Sequence, residues 1–300
     1  MRFSLKQLKY FLTVTETKSV SLAAKQLNIS SPSISAAISQ LEQEFSIQLF
    51  VRKHAKGLFL TPGGEKFAKA TKSILQQSKD LYDLASNITN EAAGPINLGC
   101  FSTLAPIILP QLRRSYITKN PNVLINQIEG NQLELIELLL SGKIDAALTY
   151  DLSIPNNISF TSLLNIPPHV LLPIDHKFSK YKEIDLKKLV NEPMVLLDLP
   201  LSRDYFLELF SAKNLKPNIK ERSSQISVVR SLVAHKFGYS IANFQLGVPQ
   251  SIEGIKLCQI PIKGEHKPLK LGIAKIYNEF QATNVQNFIK FSKNFFNQIK

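Results

Sequence analysis

The sequence predicts a mixed α/β chain in three parts: a small all-α winged helix-turn-helix head, one long helix, and a two-lobed α/β body. Three observations carry this. Residues Ser19 to Glu42 read as two short helices around a sharp turn. From Gly64 to about Asn90 apolar residues recur in one unbroken helical register. Beyond Pro95, apolar runs of strand length alternate with amphipathic helical segments, the pattern of βαβ units.

In the head, Leu5, Leu8, Phe11 and Leu12 mark a first amphipathic helix near residues 4–16. Leu22, Ala23, Ala24 and Leu27 form the apolar stripe of a second. Asn28 ends it, a residue that tolerates the left-handed backbone of a tight turn. Ser30 or Ser31 can cap the third helix, and Pro32 sits in its first turn, where a missing N–H costs nothing. Ile34, Ile38 and Leu41 form the buried face; Ser31, Ser33, Ala37 and Gln40 are expected to face outward. Such a pair of helices presents the second one to a DNA major groove. Next comes a two-stranded wing. Its basic tip holds Arg52, Lys53, His54, Lys56 and Gly57; Lys53, His54 and Lys56 suit phosphate or the minor groove, or a plain solvated turn, and Arg52 either touches DNA or braces the wing.

Thr61 caps the long helix and Pro62 opens it. Phe67, Ile74 and Leu81 lie seven residues apart, as in a coiled-coil seam, and predict dimerisation. A lone helix lying on a globular body is the alternative. Ala92, Ala93, Gly94 and Pro95 read as a hinge. In the body, INLGCF, VLINQIEG and IDAALTY are strands separated by the helices LAPIILPQLRRSY and NQLELIELLLSG. HVLLPID, MVLLDLP, SRDYFLELFSAKN, ISVVRSLVAHKFG and YSIANF form a second α/β set. KLGIAKIY returns as a strand before the final helix, VQNFIKFSKNFFNQI. Two such lobes leave a cleft where they meet, and open α/β sheets bind ligands at strand ends.

Composition narrows the function. The net charge of +13 favours a polyanion partner, and the first 90 residues hold 12 basic against 6 acidic side chains. Cys100 and Cys258 suit neither a disulfide framework nor a metal site, and in their apolar strands both read as buried small hydrophobes. His169, His176, His235 and His266 are scattered. There is no Gly-rich phosphate loop, no nucleophile elbow and no aligned catalytic triad, so neither an enzyme nor a cofactor is expected. MRFSLKQLKY lacks the apolar core of an export signal and no stretch is a membrane span, so a cytoplasmic protein is expected, without a membrane partner. A solute-binding protein, a cleft enzyme and a ligand-independent architectural DNA protein each fit only part of this pattern.

The segment LKQLKYFLTVTETKSVSLAAKQLNISSPSISAAISQLEQEFSIQLFVRK resembles the DNA-binding signature of LysR-type transcriptional regulators. Phe11, Ser19, Ala23, Ala24, Leu27, Ser30, Pro32, Ser35, Ile38, Leu41, Glu42, Leu49, Phe50, Arg52, Leu60, Thr61 and Gly64 carry the match, with GKIDAAL and FGYSIA as looser echoes. The resemblance implies a DNA-binding domain over residues 1–63 and a linker and dimerisation helix over 64–92. It also implies an effector-binding domain over 93–300 with type-2 periplasmic-binding-protein architecture. Lobe I would span about 93–166 and 267–300, and lobe II about 167–266. It implies promoter DNA as partner, a polar or anionic small-molecule effector, a dimer or homotetramer, and RNA polymerase as a further partner.

The expected DNA-facing residues are Ser31, Pro32, Ser33, Ser35, Gln40, Arg52, Lys53, His54 and Lys56. The family often carries Gln at the place of Ser31, and Arg or Lys at those of Ala36 and Ser39, so base reading here rests on other groups. In the cleft, Ser102 and Thr103 open a helix, where hydroxyls and free N–H groups bind anions. Thr149 and Tyr150 end a strand, Ser202 and Arg203 open a helix, and Gln225 and Ser227 flank another helix start. Arg203 is a candidate carboxylate clamp, unless Asp204 and Glu208 hold it as a surface pair.

Overall fold

The computed structural model describes residues 3–53, 57–88, 94–243, 249–277 and 282–298. The chain divides into two compact units, one of residues 1–90 with 280–282 and the other of residues 91–279 and 283–300.

The first unit holds α1 (Leu5–Thr17), α2 (Val20–Leu27), α3 (Ser31–Phe45), the wing strands β1 (Phe50–Lys53) and β2 (Gly57–Leu60), and α4 (Pro62–Ile88). Each helix start is capped from the sequence. Ser4 and Gln7 form a capping box, Ser19 Oγ accepts from Leu22 N, and Ser30 Oγ accepts from Ser33 N. Asn28 takes the left-handed conformation between α2 and α3, with φ 55° and ψ 45°. Ile34, Ala37, Ile38 and Leu41 of α3 are buried against Phe11, Val14, Ala23 and Ala24. Ala37 therefore faces the core, not solvent: its methyl group is small enough to let two helix backbones approach. Leu22, placed by sequence on the apolar stripe of α2, is 56% exposed.

β1 and β2 pair antiparallel, Arg52 opposite Leu58. The wing is fixed at both ends. Leu58 N donates to Lys18 O, and Glu42 Oε1 accepts from Leu49 N at 2.8 Å and Phe50 N at 3.3 Å. Thr61 Oγ1 accepts from Gly64 N and opens α4. A side chain at Gly64 would place its Cβ 2.2 Å from Leu49 O, so only glycine lets α4 leave the wing this closely.

The second unit has two lobes. In chain order it contains β3 (Gly94–Phe101), α5 (Ala105–Lys119), β4 (Val123–Gly130), α6 (Gln132–Leu140), β5 (Ala146–Tyr150), β6 (Ile158–Ile166), β7 (His169–Pro173) and β8 (Pro193–Leu197). Then follow α7 (Ser202–Ser211), β9 (Asn218–Ser223), α8 (Ile226–Ala234), β10 (Ser240–Ala242), β11 (Leu257–Pro261), β12 (Leu269–Ile276) and α9 (Thr283–Gln298). Lobe I is built on a five-stranded sheet of order β4-β3-β5-β12-β6. β3 runs parallel to β4 and β5, as the alternating pattern predicts, whereas β12 is antiparallel to β5 and β6. Lobe II has the antiparallel set β10-β7-β11 and the parallel pair β8-β9. The chain crosses between lobes after β6, through Pro167 and Pro168, and again between β11 and β12.

β6 and β9 were not legible in the sequence. β9 reads NIKERS, which has no apolar alternation, and forms only as the edge partner of the buried β8. Of the hinge residues read from sequence, Ala92 and Ala93 lie outside the described residues, and Gly94 begins β3. Among the described residues no helix is long and apolar enough to cross a membrane.

Candidate nucleic-acid interface and ligand cleft

α3 is two-faced. Its back is locked into the head core, and Pro32, Ser33, Ser35, Ala36, Ser39 and Gln40 are exposed along the other side, with Ser31 half-buried. Every exposed side chain here is short or uncharged, so backbones and base edges can approach closely. Ser33 Oγ pairs with the capping Ser30 Oγ at 2.7 Å, so its hydroxyl partly serves the helix start. Gln40 Oε1 accepts from Gln7 Nε2 at 2.6 Å, and Gln7 Oε1 accepts from Ser4 N. This chain of bonds holds the Gln40 amide while leaving its NH2 available to a partner. Arg52 is exposed on β1. The side chain of Lys53, and all of His54 and Lys56, lie outside the described residues.

The seam expected on α4 divides. Phe67 packs against Phe11 and Phe45, with ring centroids 5.3 and 4.9 Å apart, so it belongs to the head core and is not free for a partner helix. The sequence spacing could not separate these uses, because a core position and a partner-facing position fit the same seven-residue repeat. Ile74 and Leu81, one and two heptads on, are 39% and 66% exposed.

In the second unit a cavity of about 40 Å³ lies between the lobes. Thr103, Tyr150 and Ser202 line it, three of the eight residues expected there. Thr103 and Tyr150 share a hydrogen bond, and Tyr150 stacks edge-on against Phe101 at 5.0 Å. Burial pushes the Tyr150 phenol up, so it stays protonated.

The other five are placed elsewhere. Thr149 is buried and its hydroxyl donates to Gln132 Oε1 at 2.5 Å; Gln132 in turn donates to Tyr150 O and Leu152 O. That network closes the end of β5 and commits the Thr149 proton inside the protein. Arg203 is no free clamp: it pairs with Asp198 at 3.0 Å and Asp204 at 3.2 Å, outside the cavity. Ser102 is half-buried, its N–H donating to Gly130 O, and does not line the cavity. Gln225 and Ser227 are exposed outside it.

Two residues that sequence reading passed over, Arg230 and Asn243, do line the cavity. Arg230 is 7% exposed, and its one hydrogen bond is from Nη1 to Gln250 O at 3.4 Å. A signal for it existed. Ile226, Val229, Val233 and Ala234 sit at the spacing of a core-facing stripe, and Arg230 occupies a position within it. Asn243 donates from Nδ2 to Ile166 O at 3.0 Å and to Tyr205 OH at 3.2 Å. Nearby, His169 lies buried with Nε2 on Gln259 at 3.1 Å; burial first, then the Arg230 charge, push it down to about 4.

The cysteines carry no reactive signature. Cys100 is fully buried, and burial holds its thiol far above the usual range. Cys258 is half-buried, more open than its strand suggests, and its Sγ donates to Ser179 O at 3.2 Å. Burial raises its pKa as well. Among the described residues no group of His, Cys, Asp and Glu could hold a metal ion.

Residues 5–65 match the family model described as bacterial regulatory helix-turn-helix protein, lysR family, and residues 89–297 match that of the LysR substrate binding domain. The HTH-type transcriptional regulator YybE of Bacillus subtilis is 26% identical over 287 residues, 94% of this chain and 95% of that one. The Hca operon transcriptional activator HcaR of Escherichia coli is 27% identical over 297 residues, 93% and 98% of the two chains. Among solved structures, HinK, a LysR family transcriptional regulator from Pseudomonas aeruginosa, is 32% identical with a TM-score of 0.65, covering 97% of this chain and 98% of that one.

Proposed function

The chain belongs to the LysR family of DNA-binding transcriptional regulators, and we propose that it reads promoter DNA through α3 and the wing under control of a small polar molecule held between the two lobes of its effector domain. The observation that carries the DNA part is the two-faced α3, apolar and locked behind, small and polar in front. Ser31, Pro32, Ser33, Ser35 and Gln40 are the base-reading and close-approach positions. Arg52, Lys53, His54 and Lys56 supply phosphate or minor-groove contact at the wing. Ala36 and Ser39 offer no guanidinium or ammonium for guanine, so the operator differs from those of relatives that carry one there.

Two copies joined along α4 through Ile74 and Leu81 would place two recognition helices one turn of DNA apart. A tetramer acting on RNA polymerase from the cytoplasmic side of the cell is the assembly this reading implies. Thr103, Tyr150 and Ser202 contact the effector.

Fluorescence anisotropy with the full chain and its own upstream promoter fragment tests the assignment. Gln40→Ala should narrow the affinity gap between promoter and scrambled DNA by roughly 1–3 kcal/mol. Lys53→Ala should weaken both DNAs alike and reduce the slope of log K against log salt by about one. If Lys53→Ala changes preference while general affinity holds, the division between α3 and wing is wrong.

A further inference from the structure

We infer that the interlobe cavity takes a small organic carboxylate, with Arg230 as the residue that binds the carboxylate group and Asn243 as acceptor for a hydroxyl or N–H beside it. This rests on the reading of the cleft as the effector site and specifies the ligand's chemistry.

A guanidinium presents five N–H donors and is always charged. Arg230 is buried at 7% exposure on the cavity wall, and its one hydrogen bond among the described residues is a long one, to the Gln250 carbonyl. Among the described residues no carboxylate pairs with it, in contrast to Arg203 and Arg222, which share Asp198 on the surface nearby. Burial alone accounts for the fall in its pKa; no anion offsets it. The buried His169 stays neutral and supplies no counter-charge. A buried charge held without a partner is destabilising, so a fold that keeps one on a cavity wall is complementary to an anion that enters the cavity. The planar fork of Arg230 matches a carboxylate bidentately.

Asn243 refines this. Its Nδ2 faces the carbonyl of Ile166, which only accepts, and Tyr205 OH, which donates its own proton to Lys267 O. The amide orientation is therefore fixed by its partners, and Oδ1 is left buried with no partner. An acceptor so placed selects a ligand that carries a donor. Phe206 and Ile226 on the same wall favour an apolar body. Hydroxy acids with a small hydrophobic group satisfy all three demands.

The test uses the full chain and calorimetric titration with lactate, mandelate, phenylacetate and mandelamide, together with melting of the unliganded protein. Mandelate should bind at least tenfold more tightly than mandelamide, and more tightly than phenylacetate, which lacks the hydroxyl. Arg230→Met should abolish the preference for acid over amide, and Arg230→Lys should keep part of it. Without any ligand, Arg230→Met should raise Tm by about 3 °C, because it removes an unpaired buried charge. A lower Tm in both Arg230 variants would mark a structural arginine and overturn the proposal. So would equal binding of acid and amide, or no binding of any acid at 10 mM. Thr103→Phe, which fills the cavity, separates the two levels: if acids still bind to that variant unchanged, the cleft is not the effector site at all.

Discussion

Glu42 should prove the joint between the recognition helix and the wing. It sits in the last turn of α3, where the helix dipole disfavours a carboxylate. It is held there by Leu49 N at 2.8 Å and Phe50 N at 3.3 Å, the two N–H groups that lead into β1. Hydrogen bonds to a charged group contribute about 1.5–3 kcal/mol each. One of these is long and the side chain is only half-buried, so the pair together is worth about 2–3 kcal/mol. Glu42→Ala also strands two N–H groups, one on the fully buried Leu49. Glu42→Gln keeps an acceptor and should lose about 1 kcal/mol. For a unit of this size each kcal/mol shifts Tm by about 4–8 °C, so Glu42→Ala should lower the melting of the head by about 10 °C or more. The assay is thermal melting by circular dichroism beside anisotropy on promoter and scrambled DNA. Affinity for both DNAs should fall together, since the wing is displaced but the α3 face is untouched. If Glu42→Ala leaves Tm unchanged, or erodes preference for the promoter alone, the wing is held by something other than this carboxylate.

Leu81→Asp, on the 66% exposed position of α4, should convert the protein toward monomer in light scattering and weaken promoter binding by roughly tenfold or more through lost avidity; an unchanged mass would exclude this stretch from the dimer seam. His169 should make the effector domain acid-sensitive. Its folded pKa of about 4 lies below the ordinary 6.5, so the stability it supports is complete above pH 6.5 and lost as pH falls toward 4. The full loss is about 3 kcal/mol, at 1.36 kcal/mol per unit. His169→Gln should flatten urea-unfolding midpoints across that window; an undiminished slope would put the sensitivity elsewhere.

The head was legible because its rules are local. Caps at Ser4, Ser19 and Ser30, the left-handed Asn28 and the spacing of Ile34, Ile38 and Leu41 each act within a turn or two of chain. Misreadings arose where a residue's use depends on a distant partner. Phe67 fits a dimer heptad equally well as a core position, and only the folding of α4 back beside Phe11 and Phe45 decides. Thr149 ends a strand like a ligand contact, but Gln132, seventeen residues earlier, takes its hydroxyl. Arg203 opens a helix as a clamp would, yet Asp198 reaches it across the preceding turn. The rule that ligands meet strand ends and helix starts led to Thr103, Tyr150 and Ser202 on the cavity wall and passed over Arg230, which lines the same cavity from one turn inside a helix.

The size of the cavity links that arginine to a switch. At about 40 Å³ the cavity is a narrow slot, tighter than a hydroxy acid with a phenyl or alkyl body. A ligand of that class must therefore favour a state in which the lobes stand further apart, hinged at the two crossovers beside Ile166 and Lys267. Inverting a 99:1 preference takes about 5.5 kcal/mol of differential affinity. A bidentate pair with a guanidinium that is otherwise buried alone can supply a large part of it, because the closed state leaves that charge uncompensated while the liganded state does not. On this argument Arg230 holds two linked quantities: the cost of closure without ligand and the affinity for the acid. Arg230→Met should change both at once, stabilising the empty closed form while removing the acid's leverage over it, which a residue serving only as packing would not do.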